Sequence, residues 1–190
     1  MPLQQPDTAL PAGSSLLPAA IVETIWFNAL WFQSIWFLAV LGRDTLLLIP
    51  LSLLILHFAL VRDRQRELER VATVAIIGIT IDTLLSASGV FIFPNDSLLP
   101  LWHCCLWLAL AAALPRSLAF LQRNIVLPIV LGGLVVPLNY WAGARFGAVE
   151  FGYPLLTTLP LLALIWALLL PGLLWVSGRV DASARDGAGP

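Results

Sequence analysis

A single carboxylic acid, Asp82, stands in the middle of the apolar run VATVAIIGITIDTLLSASGVFI, residues 71–92. At about 22 residues the run is long enough to cross a bilayer core as a helix. An ionisable group at that depth costs at least ~2.5–3.5 kcal/mol, so it has to be paired, protonated or wetted by a cavity. Winding the run into a helix brings Ala75, Gly78, Asp82, Ser86 and Gly89 within about 40° of one another. The other residues on that stripe are small, which lets a neighbouring backbone approach closely and turns the stripe toward protein. A neutral Asn would fix helix register without the charge penalty. Asp82 is therefore read as functional, able to bind a cation or amine, exchange a proton, or hold an Arg as counter-ion.

Other polar groups sit at comparable depth. Asn28 and Gln33 share one apolar run and lie about 140° apart around its axis. A later run places Pro128, Gly132, Val135 and Asn139 on one face, followed by Tyr140. A helix loosened by Pro and Gly is tolerated in a membrane only where it meets protein or a water-lined cavity. Directly after it, Gly143-Ala-Arg145-Phe-Gly147 puts an Arg at the outer boundary. These residues define a candidate ligand pocket opening from the outer half of the membrane, lined by Asn28, Gln33, Asp82, Asn139 and Tyr140, with Arg145 at its mouth. The plainer alternative is that the amides bond to one another and fix register, at about 0.6 kcal/mol each. For Asn28, Gln33 and Asn139 taken singly, that alternative is preferred.

Recognisable catalytic signatures do not accompany this centre. The sequence has no Gly-x-Ser-x-Gly elbow, His-Glu-x-x-His, phosphate loop or dinucleotide fingerprint. Glu23 and Glu150 fall at opposite membrane faces. His57 reads as interfacial, and His103, near the outer face, as structural. Cys104 and Cys105 follow His103, but on a helix the three point about 100° apart and do not converge on a metal. No catalytic residue, metal or cofactor is assigned, and a non-enzymatic role is preferred. Without a basic patch interleaved with aromatics, nucleic acid is not a partner.

The elements that must position these groups follow from composition. The 190 residues are 59% hydrophobic and 11% charged, with a mean hydropathy of +0.91. A soluble domain carries about 25% charged residues, so the chain is an all-α membrane protein. Six apolar runs follow one another, at 21–41, 45–61, 71–92, 98–114, 125–141 and 153–176. The second and fourth are short. Five spans are the fallback if the fourth or fifth run is re-entrant. A six-helix transmembrane domain at 21–177 is thus expected between disordered tails at 1–20 and 178–190. All ten basic residues are Arg. Eight of them lie in the 62–70 and 116–123 loops and the C-terminus, which puts both termini in the cytoplasm. Trp26, Trp102, Trp141 and Trp175 fall near span ends and suit the headgroup layer, whereas Trp31, Trp36, Trp107 and Trp166 read as packing residues. The segment RDRQRELER (62–70) reads as a solvated helical extension. Leu30-Trp31-x3-Ile35-Trp36 parallels Leu101-Trp102-x3-Leu106-Trp107, and Ile49-Pro50 parallels Leu127-Pro128, as an inverted repeat of three spans would.

Asn28-x4-Gln33-x2-Trp36 with Leu41-Gly42, Asp82, Trp107 and Gly143-Ala-Arg145-Phe-Gly147-Ala-Val together resemble a family of small bacterial inner-membrane proteins described only as a domain of unknown function. The resemblance covers about residues 25–176 and implies a role beside membrane-lipid chemistry. By size and span count the chain is also similar to the substrate-binding subunits of vitamin-importing transporters, but it lacks their Ala-x-x-x-Ala pairing motif in the first span. The function expected is binding or transport of a small polar or amphipathic ligand around Asp82, among membrane lipids. The alternative is a non-catalytic accessory subunit. It would place a partner membrane protein, or a second copy of the chain, on the small-residue face of the third span. A lipid-modifying enzyme would require a second titratable group within a few ångströms of Asp82.

Overall fold

In lipid a backbone without water must satisfy itself, and the helix is the simplest way to do so. The computed structural model describes residues 24–186, and over them the apolar runs fold accordingly. In chain order they form α1 (Ile25–Gly42), α2 (Leu48–Leu60), α3 (Arg64–Ala87), β1 (Phe91–Ile92), α4 (Leu101–Ala113), α5 (Val126–Arg145), β2 (Glu150–Phe151) and α6 (Leu155–Asp186). The two strands pair antiparallel, Phe91 opposite Phe151. Helices α1, α3, α5 and α6 are long and apolar enough to cross a membrane. Helices α2 and α4 have only 13 residues each, about 20 Å against a hydrocarbon core of about 30 Å. Scattered hydroxyls need no partner from another helix: Ser34, Ser52, Thr73 and Thr80 each donate to the carbonyl four residues back.

Contacts between helix termini sort the bundle into two ends. At one, Asn28 of α1 meets Ser117 after α4, and the start of α3 meets Asp181 of α6 through Arg70. At the other, Arg43 after α1 donates to the Phe146 carbonyl after α5, at 2.7 Å. There too the Tyr153 hydroxyl, ahead of α6, donates to the Ser88 carbonyl after α3. Short as it is, α4 forms the core of the bundle and packs on α1, α2 and α3. Ala109, Ala111, Ala112 and Ala113 are completely buried, because a run of methyl side chains lets several helices close in on one axis.

Four expectations change on the structure. The third run does not stay helical to Ile92: it ends at Ala87, and Gly89, at φ 77°, turns the chain into β1. Gly89 therefore leaves the small-residue stripe, while Ala75, Gly78 and Asp82 are buried. The 62–70 segment is helical from Arg64, with Asp63 capping it through the Arg66 amide at 3.1 Å. Its Glu67–Arg70 face is buried rather than solvated, because fixed partners wait for both charges. Trp102 is buried against Phe93 and His103 and is not at the surface, whereas Trp26, Trp141 and Trp175 are exposed. Finally, α6 continues past residue 177 to Asp186. The 1–20 tail and Glu23 lie outside the described residues.

Candidate functional site

Asp82, 0% exposed, receives three donors from two other helices. Trp107 Nε1 donates to Oδ2 at 2.7 Å, and the Tyr140 hydroxyl lies 2.8 Å from Oδ2 and 3.0 Å from Oδ1. His103 Nε2 lies 2.7 Å from Oδ2. His103 and Trp107 are one turn apart on α4, so a single helix face offers both ring nitrogens at once. Each ring is held by aromatic neighbours. Trp107 stacks on Trp166 of α6 at 5.3 Å and 7°, and Tyr140 stacks on Phe91 at 5.0 Å and 5°. His103 sits between the edges of Phe93 and Trp102, each at 5.3 Å. Trp107 reaches the acid only because residue 78 is glycine: a Cβ there would overlap its indole ring. Charge-assisted hydrogen bonds of this kind are what make a buried carboxylate tolerable. Two ring nitrogens stay unsatisfied: His103 Nδ1 and Trp166 Nε1 are buried and have no hydrogen-bond partner.

On the far side of these donors lies a cavity of about 280 Å³. Helix α1 contributes Phe32, Gln33 and Trp36, α4 contributes His103 and Trp107, α5 contributes Asn139, Tyr140 and Gly143, and α6 contributes Trp166. Helices α1 and α5 face each other across it and hardly touch. Asp82 does not line the cavity; it stands behind a wall made by its own three donors. The lining runs from Leu131 to Gly143 along α5, about 18 Å of helix, and is mostly apolar. It is a slot with a polar patch on one wall.

The structure joins Asp82 to Tyr140 and puts Gln33 and Asn139 on the cavity. Both amides are exposed at its edge, and Asn139 Nδ2 donates to the carbonyl of Val135 in its own helix, at 3.2 Å. Asn28 is elsewhere, at the opposite end of the bundle, where its Oδ1 accepts from the Ser117 hydroxyl at 2.8 Å. Arg145 is exposed and off the cavity. It is not the counter-ion of Asp82, whose oxygens are filled by neutral side chains or imidazole. Sequence reasoning passed over His103 and Trp107. Their signal was the spacing of four residues on one helix, which gives two N–H groups a common face.

A second buried centre lies at the other end of α3. Glu67, 2% exposed, is gripped by Arg116 at 2.9 Å to each carboxylate oxygen, by Arg70, and by His57 Nε2 at 2.7 Å. Arg70 also pairs with Asp181 at 2.6 Å. His57, expected at the interface, is instead buried and stacks on Trp31 at 4.8 Å. Cys104 and Cys105 are free thiols. Among the described residues no three His, Cys, Asp or Glu side chains come close enough to hold a metal ion.

Chemically, the Asp82 centre is a carboxylate–imidazole pair with a phenol on the same carboxylate, beside an elongated apolar cavity. No curated protein and no solved structure matches the chain. The family model described as "Protein of unknown function (DUF2878)" matches residues 25–172, the stretch holding all six helices up to mid-α6, and the chain belongs to that family.

Proposed function

We propose that the protein binds, and on that basis carries or presents, a small amphipathic molecule with an elongated apolar part, held in the cleft between α1 and α5. The observation that carries this reading is the slot itself, apolar along its length and bordered by the His103–Trp107–Tyr140 wall over a buried carboxylate. Its volume is near the lower end of the ~300–1,000 Å³ usual for ligand pockets. That favours one chain with a small polar end over a bulky headgroup. An opening between helices, rather than at a bundle end, suits a ligand that arrives from lipid.

The same reading takes the protein as a six-span chain of the bacterial inner membrane with both termini in the cytoplasm. Its support is twofold. Helices α1 and α3 start at the same end of the bundle, so α2, although short, has to return the chain between them. The Arg-rich 62–70 and 116–123 segments fall at that same end, as the charge rule for cytoplasmic loops expects.

Native mass spectrometry of the detergent-extracted protein tests the cleft. Gly143 lines it, and a Cβ at that position meets nothing within 4 Å, so Gly143→Leu should fold while filling the slot. The expected result is a defined non-bulk adduct on the wild type that the variant has lost. Identical bulk lipid on both proteins would sink the reading. A second reading, the lipid-modifying enzyme, is favoured by one observation: its requirement for a titratable group near Asp82 is met by His103. The accessory-subunit reading would need a docking face other than Gly78, which packs against Trp107.

A further inference from the structure

Two residues that line the cleft each leave a buried ring nitrogen without a partner, His103 Nδ1 and Trp166 Nε1, and together they name a ligand chemistry. His103 is 7% exposed, lines the cavity and is ringed by Phe93, Trp102 and Tyr140. Its Nε2 is committed to Asp82 Oδ2 at 2.7 Å, while Nδ1, on the opposite edge of the ring, is buried and unpaired. Asp82 itself is not available to a ligand: it is fully buried, and His103, Trp107 and Tyr140 stand between it and the cavity. An acceptor-only carboxylate requires a proton on the imidazole nitrogen that faces it, and in a neutral ring this leaves the other nitrogen as a lone pair. A buried acceptor without a partner costs more than an exposed one, and a ligand donor that reaches it regains that cost.

We propose that His103 Nδ1 is the acceptor for the polar end of the ligand, and that this end is a neutral hydroxyl. The ligand class is then a single-chain alcohol, its O–H donating to Nδ1 and its chain lying along the α5 side of the slot. Asp82 is a positioning residue that fixes the ring and its tautomer. An ammonium head is disfavoured because Asp82, the only negative charge in the cluster, is shielded from the cavity. A carboxylate or phosphate head can accept from the unpaired Trp166 indole N–H but has no proton to give Nδ1, whereas a hydroxyl can donate to the one and accept from the other. The inference rests on the cleft reading above but asks a separate question, namely which head group the cleft selects.

The test is quenching of tryptophan emission by three brominated probes of equal chain length in protein-loaded nanodiscs: ω-bromoundecanol, ω-bromoundecanoate and bromoundecane. Trp36, Trp107 and Trp166 line the cavity, so a bound bromine reports directly. The alcohol should bind the wild type about tenfold more tightly than the other two, as one hydrogen bond to an otherwise unsatisfied group allows. His103→Phe should erase that preference, so that the alcohol binds no more tightly than bromoundecane. Because this variant removes a partner of Asp82 and risks misfolding, nitrogen NMR of imidazole-labelled wild type gives an independent answer. Nδ1 of His103 should be unprotonated, and its resonance should move on adding the alcohol. A protonated Nδ1, or tighter binding of the carboxylate, overturns the proposal. Equal binding of all three probes, lost in Gly143→Leu, overturns it while leaving the cleft reading intact. Quenching that Gly143→Leu does not reduce removes both.

Discussion

Two buried carboxylates stand on α3, Glu67 near its start and Asp82 about 22 Å further along, and they are solved in opposite ways. Glu67 is met by charge. Arg70 and Arg116 oppose Glu67 and Asp181, two of each sign, with His57 closing the remaining side. Asp82 is met by dipoles: two neutral donors, Trp107 and Tyr140, and an imidazole with one nitrogen to spare. The first arrangement ties α2, α3, α6 and the segment after α4 together and pairs both oxygens of Glu67 with charge, leaving Arg70 Nε unpaired and away from the slot. The second borders a cavity, and His103, which lines that cavity, keeps Nδ1 unpaired. Burying charge in a network of opposite charges serves architecture, and its members are costly to remove singly. A carboxylate held by neutral donors beside an empty slot serves to orient those donors.

The largest effect expected on this contrast is at Glu67. Removing it by Glu67→Ala leaves the part-buried Arg116 without its carboxylate partner and should lower the unfolding free energy by about 3–5 kcal/mol, read by reversible denaturation in mixed micelles. Arg70 keeps Asp181, so Glu67→Met combined with Arg116→Leu should recover much of the loss. A single-variant loss below about 1 kcal/mol would mean that water reaches this network and that the two carboxylates do not differ in kind.

Next comes Gly78→Leu, which acts on the Asp82 centre through packing rather than charge. Its side chain would collide with the Trp107 indole, and overpacking of this sort costs about 1–3 kcal/mol. Trp107 would be pushed off both Asp82 and Trp166, so the emission spectrum should shift along with stability. An unchanged spectrum would show that the indole does not depend on the missing side chain.

Asp82→Asn sharpens the contrast most, by how little it should do. An amide oxygen in the place of Oδ2 can keep accepting from Trp107 and His103, and the amide nitrogen can donate to the Tyr140 oxygen. The expected change in stability is within about 1 kcal/mol, against several for Glu67→Ala. A loss comparable to that of Glu67→Ala would place Asp82 among the structural charges and remove the reason for assigning it a part in ligand selection.

Which of these features a reader of the sequence can see depends on how local the signal is. Asp82 is legible because an acid at the centre of an apolar run has no bland explanation, and Tyr140 because it lies in a helix loosened by Pro and Gly. The small stripe at Ala75 and Gly78 correctly says that α3 is covered, but not by what, since close packing against Trp107 depends on how α4 docks. Glu67 and Arg70 mislead for a different reason. A run of alternating charges at helical spacing has the pattern of a solvated face, and only Arg116, forty-nine positions away, together with Asp181, makes burial affordable. Asn28 was grouped with the outer pocket on depth alone, although it sits near the start of α1 and its partner Ser117 lies beyond α4. Long-range pairing is what periodicity cannot carry.

That last pair supplies the smallest and most discriminating measurement. Asn28 Oδ1 accepts from the Ser117 hydroxyl at 2.8 Å and weakly from the Ser117 amide at 3.4 Å, while Asn28 Nδ2 is buried without a partner. Ser117→Ala removes the stronger bond and leaves the backbone amide to take its place. The cost should be about 0.6 kcal/mol and no more than about 1.7, the range for uncharged contacts between membrane helices. Asn28→Leu removes a half-satisfied amide as well as the bond, so it should cost no more than Ser117→Ala, and the double variant should add nothing further. If Ser117→Ala instead costs as much as Glu67→Ala, then position at that end of the bundle, and not charge, sets the price of a broken contact, and the contrast between Glu67 and Asp82 would reflect where each sits on α3 rather than how each is held.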